Sequence, residues 1–130
     1  MLVSAQTAPE IIDELGLQPY RDGVYRGADP SCIGLYLLVG DGFLGWHMHG
    51  QDISWNWHGG AACVVTLSPN GHDASATHLS AQSSDLFVTA NTWMTLVSLG
   101  QWSLIEQTPI SEEDGVIFAD ADWYPSPRTS

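Results

Sequence analysis

The chain contains no lysine. Its 130 residues carry three arginines, Arg21, Arg26 and Arg128, against 15 acids, for a formal net charge of -12. Schiff-base chemistry through a protein amine is therefore excluded. A phosphate backbone would be repelled, which removes nucleic acid as a partner, and anionic membrane surfaces are disfavoured for the same reason. No apolar run approaches the roughly 18 residues of a membrane span. The N-terminus lacks the basic region and apolar stretch of a signal peptide. The expectation is a soluble, cytoplasmic protein without a cleaved leader. Cysteine is scarce: Cys32 and Cys63 sit in apolar strand-like runs and form no Cys-x-x-Cys pair. Two buried, reduced thiols fit this better than a disulfide, and a zinc ribbon or redox motif has no support. Also missing are Gly-x-Gly-x-x-Gly, a Walker loop, a Gly-x-Ser-x-Gly elbow and a His-Glu-x-x-His helix. The chemistries that depend on them have no support here.

What remains reads as one small all-β domain spanning 1–130, long enough to bury a core without staples. Thr7-Ala-Pro-Glu10 opens a short helix at about 8–16. Thr7 can cap it, Pro9 suits the first turn and Glu10 completes a capping box. Ile11, Ile12 and Leu15 supply an apolar stripe, and Gly16 is a natural stop. Turn signals follow at Arg21-Asp-Gly23 and Gly27-Ala-Asp-Pro30. The next runs read as strands: 33–39, 43–49, 53–58, 61–67, 77–80, 86–89, 92–99 and 102–107. Short strands at this spacing argue for a sandwich or barrel over about 24–110. The tail, 111–130, is acidic and then rich in Pro and Ser; it is expected to pack over the barrel near Val116–Phe118 and fray after Pro125.

The stretch Trp46 to Gly60 holds three of the five histidines and three of the six tryptophans. His47 and His49 stand two apart on a strand, so their imidazoles share a face. If 43–49 and 53–58 are neighbouring strands, then His47, His49, Ile53, Trp55 and Trp57 lie on one face. Trp46, Met48, Asn56 and His58 lie on the other. The first set is mostly apolar wall with two convergent polar groups, the make-up of a small-molecule site.

The ordered motifs resemble the cupin superfamily. Gly42-Phe-Leu-Gly-Trp-His47-Met-His49, closing at Gly59-Gly60, is similar to the first cupin motif, and Phe87-Val-Thr-Ala-Asn-Thr-Trp-Met94 resembles the second. Within the superfamily the chain resembles the single-domain branch called cupin family five. The carrying residues are Leu15-Gly16-Leu17-Gln18-Pro19, Asp22-Gly23-Val24-Tyr25-Arg26, Tyr36-Leu37-Leu38, Trp46-His47 with Trp55-Asn56-Trp57-His58-Gly59-Gly60, Leu67-Ser68-Pro69-Asn70-Gly71, Trp93 and Leu99-Gly100-Gln101-Trp102. The resemblance covers about 10–120. It implies a jelly-roll β-barrel, commonly a homodimer, with the histidine face turned into the lumen. Metal-binding cupins hold their ion with His, His, Glu and a later His. Here the glutamate slot falls at Ile53 and the later histidine slot at Met94. Two imidazoles alone hold a divalent ion poorly. Asp52 is one residue out of phase and should point away. The expectation is no cofactor and no metal; were one bound, His47 and His49 would be its ligands.

On this reading the chain is a metal-independent enzyme of small-molecule metabolism, with a specialised pathway as the narrower expectation. It would catalyse a redox-neutral proton transfer: isomerisation, epimerisation, dehydration or cyclisation. His47 and His49 act as base and acid, because imidazole titrates near neutrality and two close rings repel, pushing one pKa down. Tyr36, Ile53, Trp55, Trp57, Trp93 and Met94 line the substrate cavity. Asn56 and His58 are expected to make structural hydrogen bonds, and Arg26 an internal ion pair. The alternatives are a non-catalytic binding cupin, or a metal-dependent oxygenase or isomerase using His47 and His49.

Overall fold

A computed structural model of the chain describes residues 7–28, 34–40, 42–109, 115–120 and 123–125. Helix α1 (Ala8–Leu15) begins where the capping box requires it. Thr7 Oγ1 accepts from the Glu10 N–H at 3.4 Å, and Glu10 Oε1 accepts from the Thr7 N–H at 2.9 Å. Gly16 ends the helix in the left-handed conformation at φ 65°. Ala8 and Ile11 are buried against Leu17, Leu37, Trp102 and Leu104, so α1 covers the outer face of a sheet.

That sheet runs β1 (Leu17–Arg21), β2 (Val24–Gly27), β3 (Leu35–Val39), β10 (Trp102–Thr108), β5 (Ile53–Gly60), β8 (Asp85–Val88). The second runs β11 (Val116–Phe118), β4 (Phe43–His49), β9 (Trp93–Ser98), β6 (Cys63–Ser68), β7 (Ser75–Leu79). The paired strands are antiparallel. Period-two alternation decides which side chains face inward. On β3, Leu37 turns out to α1 while Leu38 turns in. Leu38, Leu44, Ile53, Trp55, Val65, Met94, Leu96 and Ile105 fill the space between the sheets. Full burial of such a side chain stabilises the fold by roughly 1.5–3 kcal/mol. The fold is the jelly roll expected from the sequence.

Two features differ from the expectation. First, β4 and β5 are not neighbours; they lie in opposite sheets, joined by the short link Gly50–Asp52 that carries the chain across the sandwich. His47 and Trp55 still both face the interior, but from facing walls. Second, residues 17–27 form a hairpin rather than a string of turns. β1 is an edge strand, where Pro19 lacks an N–H without breaking a ladder. Asp22 (φ 48°) and Gly23 (φ 82°) make its tight turn. A close backbone approach then fixes the hairpin. A Cβ on Gly42 would lie 2.4 Å from the Gly23 carbonyl oxygen, and the Phe43 N–H donates to Asp22 O at 3.0 Å. Arg21 is thereby held beside the start of β4.

Cys63 is fully buried, and burial pushes its thiol up to about 12, so it is a packing residue. Cys32 lies outside the described residues, as does the tail after Pro125. Among the described residues no helix is long and apolar enough to cross a membrane.

Candidate functional site

The site begins with an irregularity in β4. Leu44 pairs with Leu96 and His47 with Met94, so two residues, Gly45 and Trp46, stand opposite Thr95 alone. This β-bulge inserts one position and shifts the alternation. Leu44, His47 and His49 all face inward, at 2%, 1% and 3% exposure.

The two imidazoles meet edge to face, centroids 5.1 Å apart at 79°. The Nδ1 of His47 lies 2.8 Å from the carbonyl oxygen of Gly45. A carbonyl only accepts, so Nδ1 carries the proton and Nε2 presents a lone pair. That Nε2 is buried and has no hydrogen-bond partner among the described residues. Burial pushes the His47 pKa down to about 3. The Gly45 bond opposes the shift, while His49 and Arg21 add to it. Burial likewise lowers His49 to about 4. Both rings are therefore neutral at physiological pH. The expected pair of one neutral and one protonated ring is corrected: loss of solvent leads the shift, and repulsion between the rings is minor.

The histidines border a space of only about 10 Å³, room for about one water. Tyr20, Arg26, Tyr36 and Gln107 supply its other polar groups; Leu44, Val116 and Phe118 close it. An aromatic chain packs across it. Phe118 stacks on His47 (5.2 Å, 28°), Tyr20 meets Phe118 at 6.3 Å, Tyr36 meets Tyr20 at 6.0 Å, and Trp55 meets Tyr36 at 5.5 Å. The expected open hollow is thus nearly filled. Arg26 lies over the Tyr20 ring at 4.1 Å and Arg21 over Phe118 at 3.6 Å.

The sequence-derived site residues separate into three groups. His47, His49 and Tyr36 come together at the small space. Ile53, Trp55 and Met94 form the interior around it, with the Trp55 Nε1–H donating to Met94 Sδ at 3.3 Å. Trp57 and Trp93 form the third group, away from the small space. Trp57 is half-buried, packs against the margin of that interior and donates to Ala61 O at 3.1 Å, whereas Trp93 lies on the opposite face of β9 from Met94 and packs on Trp123 at 4.7 Å. Asn56 bonds Asp85 and His58 pairs with Glu106 at 2.9 Å, both on the outer surface. Sequence reasoning missed Tyr20, Gln107 and Phe118. Phe118 carried a usable signal, an apolar Val-Ile-Phe run in an acidic tail.

The donor set was tested against a divalent cation. Met94 stands directly opposite His47 and Ile53 is buried in the interior. Asp52 is exposed and accepts from the Ala90 N–H at 2.8 Å, turned away from the lumen. Among the described residues no three His, Cys, Asp or Glu side chains converge. Two imidazoles and a thioether already engaged by Trp55 do not fit a hard cation.

A second, larger space lies on the other side of Phe118. It measures about 370 Å³ and opens on the outer face of β4. Gly45 and Thr95 lie at its base, Phe43, Trp46, Phe118, Trp123 and Tyr124 form walls, and Arg21, Asp22 and Asp120 contribute charge. Trp123 is held by Trp46 at 5.6 Å and Trp93 at 4.7 Å.

No family model and no curated protein matches the sequence. Solved structures do. A protein from Shewanella oneidensis superimposes with a TM-score of 0.72 at 18% identity, covering 88% of this chain and 85% of that one. A hypothetical protein from Leishmania major gives 0.69 at 14% identity over 86% of each chain. The TDP-quinovose 3,4-ketoisomerase from Campylobacter jejuni gives 0.52 at 14% identity, covering 65% of this chain and 68% of that one. The chain shares the cupin fold with such neighbours.

Proposed function

We propose that this chain is an isomerase-type cupin enzyme that moves a proton within a small molecule, without redox chemistry and without a metal. Its ordered signatures over about 10–120 support the family-five branch. The observation that carries the reading is the lone pair of His47 Nε2, which is buried and without a hydrogen-bond partner among the described residues. Leaving such a group unsatisfied costs roughly 1–3 kcal/mol. A substrate C–H or O–H at that position would both recover the cost and give the base its proton. The structural neighbours include a 3,4-ketoisomerase, whose name describes a reaction of this kind.

The low pKa of His47 is led by burial, which outweighs the Gly45 bond. A substrate that becomes an enolate as it loses its proton supplies a counter-charge at low dielectric, which raises the pKa when transfer occurs. Nδ1 keeps its bond to Gly45 throughout, fixing the ring. The imidazolium formed at His47 then returns the same proton to the next atom of the substrate and regains its neutral ring, while His49, 5.1 Å away and itself neutral, borders the reacting atoms. Tyr20, Tyr36, Gln107 and Arg26 hold the substrate oxygens. The reactive end of the substrate enters where Phe118 now lies, since the remaining space admits about one water. His47→Gln tests the assignment. Turnover falls by about 10²–10⁴-fold while ligand affinity is retained; equal turnover in the variant refutes it.

The nearly filled lumen favours a second reading, a non-catalytic barrel that binds ligand only in the outer cleft. Retained ligand binding with no turnover of any bound compound selects it.

A further inference from the structure

The 370 Å³ cleft outside β4 has the size of a ligand site, 300–1,000 Å³, and the 10 Å³ space at the histidines does not. The geometry points to this cleft as the binding site for a flat, hydroxyl-bearing aromatic compound without negative charge. Flatness follows from the walls: Trp46 and Trp123 offer ring surfaces for stacking. The Trp46–Trp123 contact, at 84° and 5.6 Å, also holds the tail wall against the β4 wall.

Hydroxyl donors follow from the polar groups. Asp22 and Asp120 accept only. Thr95 already donates its hydroxyl to Leu44 O at 2.8 Å, leaving its oxygen to accept. Exclusion of anions follows from the charges. Two carboxylates and one guanidinium line the cleft among its described residues, and the chain carries -12 overall, so a polyanion is repelled. Arg21 does not reverse this: its guanidinium lies over Phe118 at 3.6 Å, with Asp22 3.9 Å from its Nε. This chemistry differs from that of a nucleotide sugar such as the neighbouring isomerase's name describes.

Phe118 is the partition between the cleft and His47, bordering both spaces. That this cleft feeds the histidines rests on the proton-transfer reading; the cleft itself does not.

Calorimetric titration of the full chain at pH 7 with three probes tests the proposal: 2-naphthol, 2-naphthoate and TDP. Saturable binding of 2-naphthol is expected, with 2-naphthoate about tenfold weaker or worse and no binding of TDP. Gly45→Leu is expected to fill the cleft, since a Cβ there meets only the Phe43 ring at 3.6 Å and 4.0 Å, and to weaken 2-naphthol by about tenfold with an unchanged melting midpoint. Trp123→Leu weakens it similarly by removing a wall. Failure of 2-naphthol to saturate at millimolar concentration overturns the proposal. So does 2-naphthoate binding as tightly, or unchanged 2-naphthol affinity in both variants. His47→Gln keeps the 2-naphthol affinity, so its loss of turnover bears on proton transfer alone.

Discussion

Phe118 lies on His47 with ring centroids 5.2 Å apart and planes inclined by 28°. The contact joins residues more than seventy positions apart through the pairing of β11 with β4, where Phe118 stands directly opposite His47. A three-residue strand thus covers the buried imidazole from the tail.

Removing that cover exposes the base. In Phe118→Ala, acylation of His47 by diethyl pyrocarbonate should accelerate at least tenfold relative to exposed His72 in the same molecule, as followed by peptide mass spectrometry. Stability should fall by no more than about 1.5–3 kcal/mol, since the ring is only partly buried. An unchanged rate would show that Phe118 does not control access.

Acid should destabilise the protein through the same pair. Both folded-state pKa values, about 3 and about 4, lie below the ordinary 6.5, so the unfolded chain binds protons more readily. The stability this represents is complete above about pH 6.5 and is lost as pH falls toward 4 and then 3. Each histidine contributes at most about 1.4 kcal/mol per pH unit within that window. Urea midpoints measured at pH 7, 6, 5 and 4 should drop more steeply in the native chain than in the double variant His47→Gln, His49→Gln. Parallel curves would refute the assignment.

Two glycines close in sequence should respond oppositely. In Gly42→Ala the added Cβ meets the Gly23 carbonyl at 2.4 Å, backbone against backbone, and the protein should lose about 1–3 kcal/mol. In Gly45→Ala the nearest atom is 3.6 Å away and little should change. Thermal denaturation of the two variants side by side decides this; similar losses would mean that the hairpin is not pinned at Gly42.

Met94→His should create metal affinity. Met94 stands opposite His47 across the β4–β9 pair, so the substitution adds a third imidazole donor to the wall that holds two. The variant is expected to gain thermal stability with added nickel or cobalt, and the native chain to show no comparable gain. A matching gain in the native chain would show that its own residues form a metal site.

Much of this architecture could be read from residue order. Thr7 to Gly16 encode their helix locally, through caps that need no tertiary partner. The central strands announce themselves because an inward face must be apolar at every second position. The inward direction of His47 and His49 followed from the same rule, but the phase of β4 did not. Strict alternation from His47 would turn Phe43 inward, whereas Leu44 is buried and Phe43 exposed. A bulge depends on the partner strand, and no spacing within β4 specifies it. Tyr20 was obscured because β1 carries Pro19 and two charged neighbours in its turn, which read as loop until the sheet edge that tolerates them is known. The filled lumen was equally hidden. Free volume is what remains after Tyr20, Tyr36 and Phe118 arrive from three distant segments, a sum that the sequence does not display.

The extra residue in β4 also makes the lining depend on pairing rather than on side-chain inventory. Paired without that irregularity, β4 would alternate strictly from Leu44, turning Trp46 and Met48 inward and both imidazoles out. Excising one position between Leu44 and His47 would straighten the strand and still leave both rings inside. A one-codon gain beside Thr95 on β9 would instead supply the missing partner, regularise the ladder and exchange a reactive lining for a greasy one in a single step.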